Sequence, residues 1–278
     1  MIIDDIDRLT NKQIRDIFQL VKQVGNFPNI IYVLSMDREV VCRALESVHN
    51  IDGAEYLEKI VQIPFEIPAL MKPKLREILL TNLEDIVKTI SDNPKIDKSY
   101  WSEVFVNCIE PYIKTLRDVN RVINTFQFRY KILYEETAIE DMVALTTIEV
   151  LEPQLYQWIS RNKDLLCSTY FHSFSALYRN KSDYRTSICE ELKKLGINTD
   201  IGIKFLSTLF PVFANDIDEC DYKYTESNIR ETMRVAQKER FDSYFMFDLG
   251  GIPVSRYIIN TYINILPLDD LIDTITKI

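Results

Sequence analysis

Met1-Ile2-Ile3-Asp4-Asp5-Ile6-Asp7-Arg8-Leu9 is the stretch on which the fold turns. Its apolar, β-branched start favours a short buried strand, and that strand would end on two adjacent carboxylates. A strand fixes its backbone, so a carboxylate at the tip can hold Mg²⁺, directly or through water, while its neighbour polarises an attacking water. Asp4 is therefore the candidate metal ligand and Asp5 the candidate general base. The same residues would also suit a turn whose carboxylates cap a following helix, and both readings stay open on these nine residues.

Working outward, two further apolar runs follow at βαβ spacing. One is Asn29-Ile30-Ile31-Tyr32-Val33-Leu34-Ser35-Met36-Asp37-Arg38-Glu39-Val40-Val41, and the other is Tyr56-Leu57-Glu58-Lys59-Ile60-Val61-Gln62-Ile63-Pro64-Phe65. Later come Leu116-Arg117-Asp118-Val119-Asn120-Arg121-Val122-Ile123-Asn124, then Asp141-Met142-Val143-Ala144-Leu145 through Arg161-Asn162-Lys163-Asp164-Leu165-Leu166, and more faintly Arg240-Phe241-Asp242-Ser243-Tyr244-Phe245. In their order and spacing these blocks resemble the KAP family of P-loop NTPases, relatives of the AAA+ and STAND ATPases. The resemblance implies a nucleotide-driven switch using ATP and Mg²⁺, in bacteria often associated with phage exclusion or defence. It implies that Asp4 is the metal-holding carboxylate of the acidic (Walker B) strand and Asp5 the residue that orients water. Ser35 and Asp37 fall where related ATPases place a polar sensor of the γ-phosphate, although either would equally cap the helix from Arg38 to Val48. Arg117, and after it Arg121, fall where a helical lid offers an arginine to the phosphates. Family members often carry proline where Leu116 stands and a second basic residue where Asn120 stands; an ordinary surface arginine paired with Asp118 is the other reading of Arg117.

One departure decides what the polypeptide can do by itself. A P-loop enzyme neutralises the β and γ phosphates with a glycine-rich backbone cradle and its lysine. No G-x-x-x-x-G-K-[ST] occurs, and none of Gly25, Gly53, Gly196, Gly202, Gly250 and Gly251 begins such a loop. In the family that loop lies upstream of the acidic strand, so the resemblance implies the C-terminal portion of a KAP-type protein. The 278 residues are expected neither to bind ATP and Mg²⁺ firmly nor to hydrolyse ATP alone. The alternatives are a helical scaffold descended from a degenerate ATPase, or a split ATPase whose phosphate loop arrives in trans.

Apolar residues make up 46% and charged residues 27% of the chain, the balance of an ordinary globular protein. Scarce glycine and proline favour helices. A net charge of −9 argues against a broad nucleic-acid or anionic-membrane surface. Cys42, Cys108, Cys167, Cys189 and Cys220 are odd in number and widely spaced, which points to reduced thiols and a cytoplasmic setting rather than a disulfide or zinc framework. No apolar run is long enough to cross a bilayer. Some relatives carry transmembrane helices ahead of the acidic strand, so the resemblance leaves a membrane-attached parent open.

The expected class is mainly α with a small α/β part. A partial three-stranded parallel sheet (Ile2 to Leu9, Ile30 to Leu34, Ile60 to Ile63) would occupy residues 1–70, a helical lid 71–135 and a helical C-terminal domain 136–278. The first helix would run from an N-cap at Thr10 to Gly25, and later helices would centre on Leu75 to Ile86, Tyr112 to Tyr134, a pair broken at Pro153, Ser182 to Leu195 and Ser255 to Leu266 after a turn at Gly250-Gly251. The open edge left by a missing phosphate-loop strand would favour a homo-oligomer or a partner carrying the upstream half. Tyr156 and Trp158 read as packing aromatics, His49 and His172 as isolated histidines, and Asp216-Ile217-Asp218-Glu219-Cys220-Asp221 as a solvated turn lacking the glycine and distal glutamate of a calcium loop.

Overall fold

A computed structural model describes residues 1–24, 29–49, 52–91, 94, 96–167, 181–217 and 232–246. Gly25, His172, Cys220, the acidic run from Asp218 to Asp221, the Gly250-Gly251 turn and the helix expected at Ser255 to Leu266 lie outside the described residues. The chain divides into two compact units, Met1–Pro68 and Ala69–Ile278.

In the first unit, β1 (Ile2–Ile3) and β2 (Val33–Leu34) form a parallel pair, with Ile2 opposite Val33 and Ile3 opposite Leu34. Three helices complete it: α1 (Asn11–Val24), α2 (Arg38–His49) and α3 (Gly53–Glu58). Thr10 and Gln13 cap α1 by exchange: the Thr10 amide donates to Gln13 Oε1 at 3.0 Å and its hydroxyl to the same atom at 2.8 Å. Ile14 and Phe18 of α1, Val41, Ala44 and Leu45 of α2, Leu57 of α3 and Ile6 close the core. These positions recur every three or four residues, so each helix buries one stripe. At Gly53 the start of α3 presses on α2, and a Cβ there would stand 2.2 Å from the Cys42 carbonyl oxygen.

The expected third strand is not formed among the described residues. Beyond α3 the chain turns back, with Ile60 and Val61 both donating to the Leu57 carbonyl, at 2.9 and 2.8 Å. Ile63, Phe65 and Ile67 are then 84, 84 and 87% exposed. Pro64 and Pro68 remove amide donors from this segment, which weakens any ladder it could make. The strand expected over Ile30 to Leu34 is likewise shorter, with Ile31 79% exposed.

Among its described residues the second unit is helical: α4 (Lys72–Ile90), α5 (Lys98–Val104) running into a π turn at Phe105–Ile109, α6 (Leu116–Leu133), α7 (Ile139–Leu151), α8 (Pro153–Arg161), α9 (Lys163–Cys167), α10 (Lys181–Lys194), α11 (Thr199–Leu209) and α12 (Pro211–Asp216). Pro153 starts α8, where its missing N–H costs nothing. Gly196 closes α10 in the left-handed region at φ 75°, and the Ile197 amide returns to the Leu192 carbonyl at 3.0 Å. Helix α7 is the centre of this unit, with every residue from Ile139 to Ile148 buried.

A helix buried all round cannot leave charges unanswered. Asp141 accepts from the Tyr100 hydroxyl and, at 2.7 Å, from the Val235 amide. The Arg234 guanidinium lies over the Tyr100 ring, 3.5 Å from its centre, and donates to the Thr208 carbonyl at 3.2 Å. Glu140 accepts the Asp97 amide at 2.9 Å; burial, with Asp141 adding its charge, pushes its carboxyl up to about 7. Arg129 of α6 reaches Glu149 of α7, the Tyr156 hydroxyl of α8 at 2.9 Å and the Tyr244 carbonyl.

Candidate functional site

The acidic turn sits at the carboxyl end of the parallel pair. Val33 donates to the Met1 carbonyl and Ser35 to that of Ile3, both at 2.9 Å, so the ladder itself sets Asp4 and Ser35 next to one another. The Ser35 hydroxyl, then the Asp5 amide (2.9 Å from Asp4 Oδ1) and the Arg8 charge hold the Asp4 carboxyl below the usual carboxylate range. Asp5 follows in the left-handed region, at φ 56° and ψ 35°. Aspartate tolerates that conformation better than most residues, and it turns the chain sharply out of the strand. A 3₁₀ turn, Ile6–Arg8, comes next, in which Ile6 drops into the core and Arg8 returns to Asp5 with an ion pair of 3.2 Å.

The second strand contributes the facing loop. Asp37 Oδ1 accepts the amides of Glu39 at 2.9 Å and Val40 at 3.1 Å, so Asp37 caps α2. Its own amide donates to Asp7 Oδ1 at 3.2 Å. Asp4, Asp5, Asp7, Ser35 and Asp37 are thus gathered at one end of the sheet. Asp7 escaped the sequence reading; its signal was the third carboxylate of D-D-x-D, one turn beyond Asp4.

Among the described residues no three His, Cys, Asp or Glu side chains come together closely enough to cage a metal ion. Hard oxygen donors at an exposed strand end fit Mg²⁺ nonetheless, because that ion is commonly held by one or two carboxylates, with water and substrate phosphates completing its shell. Asp4, the carboxylate expected to hold the metal, is such a donor.

The two candidate arginines belong to the second unit, on α6. Arg117 is exposed on its first turn. Asp118 does not pair with it: its carboxylate accepts the amides of Thr115 at 2.9 Å and Lys114 at 3.1 Å, closing a capping box with the Thr115 hydroxyl. Arg121 donates to the Val150 carbonyl at 3.0 Å, at the end of α7. Among the described residues no helix is long and apolar enough to cross a membrane.

Residues 1–133 match the family described as the KAP family P-loop domain. Over 160 residues the chain is 30% identical to a protein of Escherichia coli (strain K12) named Phage T7 exclusion protein, an alignment covering 57% of this chain and 22% of that protein. The chain therefore spans about a fifth of that relative's length. No solved structure matches it. With the acidic pair at the tip of a parallel strand and the family match over the same residues, the segment 1–133 of this chain belongs to the KAP family of P-loop NTPase domains.

Proposed function

We propose that the chain supplies the acidic-strand side of a KAP-type ATP switch with a role in phage exclusion, and that the phosphate loop completing the nucleotide site is not among its 278 residues. The observation that carries this reading is the parallel ladder that puts Asp4 beside Ser35 at the carboxyl end of the sheet, where open α/β folds bind ligands. Asp4 would hold Mg²⁺, whose contribution is to neutralise phosphate charge. Asp5, steadied by Arg8, accepts the proton of the attacking water. Ser35 and Asp37 stand at the sensor position: the Ser35 hydroxyl bonds the Asp4 carboxyl and Asp37 Oδ1 caps α2, so each would respond to the γ-phosphate through the group it holds. Arg117 offers its charge to the phosphates from the lid, with Arg121 as second choice.

The open face of the sheet supports the same reading. Parallel sheets are normally covered on both sides. Ile2, Ile31 and Val33 are 74, 79 and 53% exposed, which suits an incoming α/β half that carries the phosphate loop, in the same polypeptide or in another. A second copy of this chain would cover the same side chains, and sedimentation of the isolated chain separates the two. The competing reading, a non-enzymatic scaffold, draws on the carboxylate of Asp37 being engaged in capping.

Isothermal titration of the 278-residue chain with Mg·ATP should give no binding tighter than about 1 mM. Joined to an upstream segment bearing G-x-x-x-x-G-K-[ST] from its own locus, the chain should hydrolyse ATP and reduce plating of phage T7, and Asp5→Asn should abolish turnover. Full turnover in Asp5→Asn refutes the base assignment. No turnover in any completed form, with phage exclusion intact, favours the scaffold.

A further inference from the structure

The strand-end site contains a carboxylate that neither the metal nor the base assignment uses. Asp7 sits two residues beyond the left-handed Asp5, and that reversal carries it across to the loop of the neighbouring strand. Besides the Ser35 hydroxyl on the Asp4 carboxyl, two hydrogen bonds tie the acidic turn to this loop: the Ile6 amide donates to the Ser35 carbonyl at 3.3 Å, and the Asp37 amide donates to Asp7 Oδ1 at 3.2 Å. The near end of the loop is fixed by the ladder, through the Ser35 amide on the Ile3 carbonyl at 2.9 Å. Its far end is fixed on one side by Asp7 and on the other by α2, which Asp37 caps through Oδ1. Loss of the Asp7 acceptor removes the hydrogen bond that ties Asp37 to the acidic turn, and the far end of the three-residue loop carrying the Ser35 hydroxyl is then held by α2 and no longer by the turn.

The geometry points to Asp7 as a positioning residue: its carboxylate oxygen, by accepting the Asp37 amide, holds the Ser35–Asp37 loop in register with Asp4 and Asp5. This rests on the nucleotide-switch reading for its functional consequence but not for its structural one. It requires an acceptor at Asp7 and no charge, the reverse of what a base or metal ligand requires. Asparagine keeps an acceptor oxygen on the same stem, so Asp7→Asn and Asp7→Ala should part company, whereas at Asp5 asparagine should fail.

The test has two arms. In the 278-residue chain, amide exchange at Asp37 should accelerate about tenfold in Asp7→Ala and return to the wild-type rate in Asp7→Asn, with the Val41 and Leu45 amides of α2 reporting that the unit is folded. In the phosphate-loop-completed assembly, Asp7→Ala should lower kcat by roughly 10- to 100-fold, the scale of a small misplacement of catalytic groups, while Asp7→Asn stays within a fewfold of wild type. Unchanged Asp37 exchange in Asp7→Ala overturns the proposal whatever the enzyme does. So does loss of turnover in Asp7→Asn with exchange restored, because the charge would then be what matters. If the wild-type assembly shows no turnover, the switch reading falls while the exchange arm still judges Asp7.

Discussion

Replacing Glu140 by glutamine should stabilise the helical unit, and by an amount that depends on pH. Glu140 is buried on α7, with the Asp97 amide as its hydrogen-bond donor and Asp141 and Arg234 as the charges around it. Its carboxyl rises from 4.5 to about 7 in the folded chain, chiefly through burial. The folded form therefore holds a proton that the unfolded form releases across that window, so stability contributed by the neutral acid is lost as pH climbs from 4.5 through 7. At about 1.4 kcal/mol per pKa unit, the penalty at pH 8 is at most about 3 kcal/mol. Glutamine is neutral at every pH and keeps an acceptor for the Asp97 amide. The difference in unfolding free energy between Glu140→Gln and wild type should grow from near zero at about pH 4 to roughly 2 kcal/mol at about pH 8. Urea titration followed by tryptophan fluorescence reads this directly, because Trp101 and Trp158 both belong to the helical unit. A difference that is flat across this range, or a Glu140→Gln protein that is the weaker at pH 8, refutes the account of Glu140 as a buried acid held near neutrality.

Three further outcomes follow from the same contacts. Asp141→Ala takes the acceptor from the Tyr100 hydroxyl and the Val235 amide, and removes the carboxylate charge that Arg234 faces; it should cost about 3 kcal/mol in the same urea assay, and a loss below about 1 kcal/mol contradicts the assignment. Gly53→Ala sets a methyl 2.2 Å from the Cys42 carbonyl oxygen and should destabilise the first unit by about 1–3 kcal/mol, seen as faster exchange of the α2 amides; wild-type exchange would mean that α3 shifts freely. Asp37→Ala should loosen the first turn of α2 by about 1 kcal/mol, and Asp37→Ser should restore most of it, as judged by exchange at Glu39 and Val40.

What was legible in the sequence was legible for local reasons. Thr10, Pro153 and Gly196 are punctuation whose chemistry acts within a few residues, and helices start or stop at all three places. The apolar run ending in Asp4-Asp5 announced a strand tip because alternation and charge are visible along the chain. The third strand failed for a reason that is not local: Ile60 to Ile63 has strand composition, but a ladder needs a neighbour to pair with, and the chain turns back on Leu57 instead. Asp7 went unnoticed because its partner, the Asp37 amide, is thirty residues away. The charged interior of α7 was equally hidden, since Glu140 and Asp141 look like ordinary first-turn acids until Tyr100, Val235 and Arg234 arrive from distant segments.

The bare segment after α3 has a further property. In an extended chain the amides of residues 64, 66 and 68 would point to one side, and proline at the first and last leaves Glu66 as the single donor there. A neighbouring molecule trying to add itself as a β-strand along that side finds one amide where it needs three. The side chains of Ile63, Phe65 and Ile67 stay open to contact, while the backbone resists the fibre-like stacking that such an apolar ridge would otherwise invite.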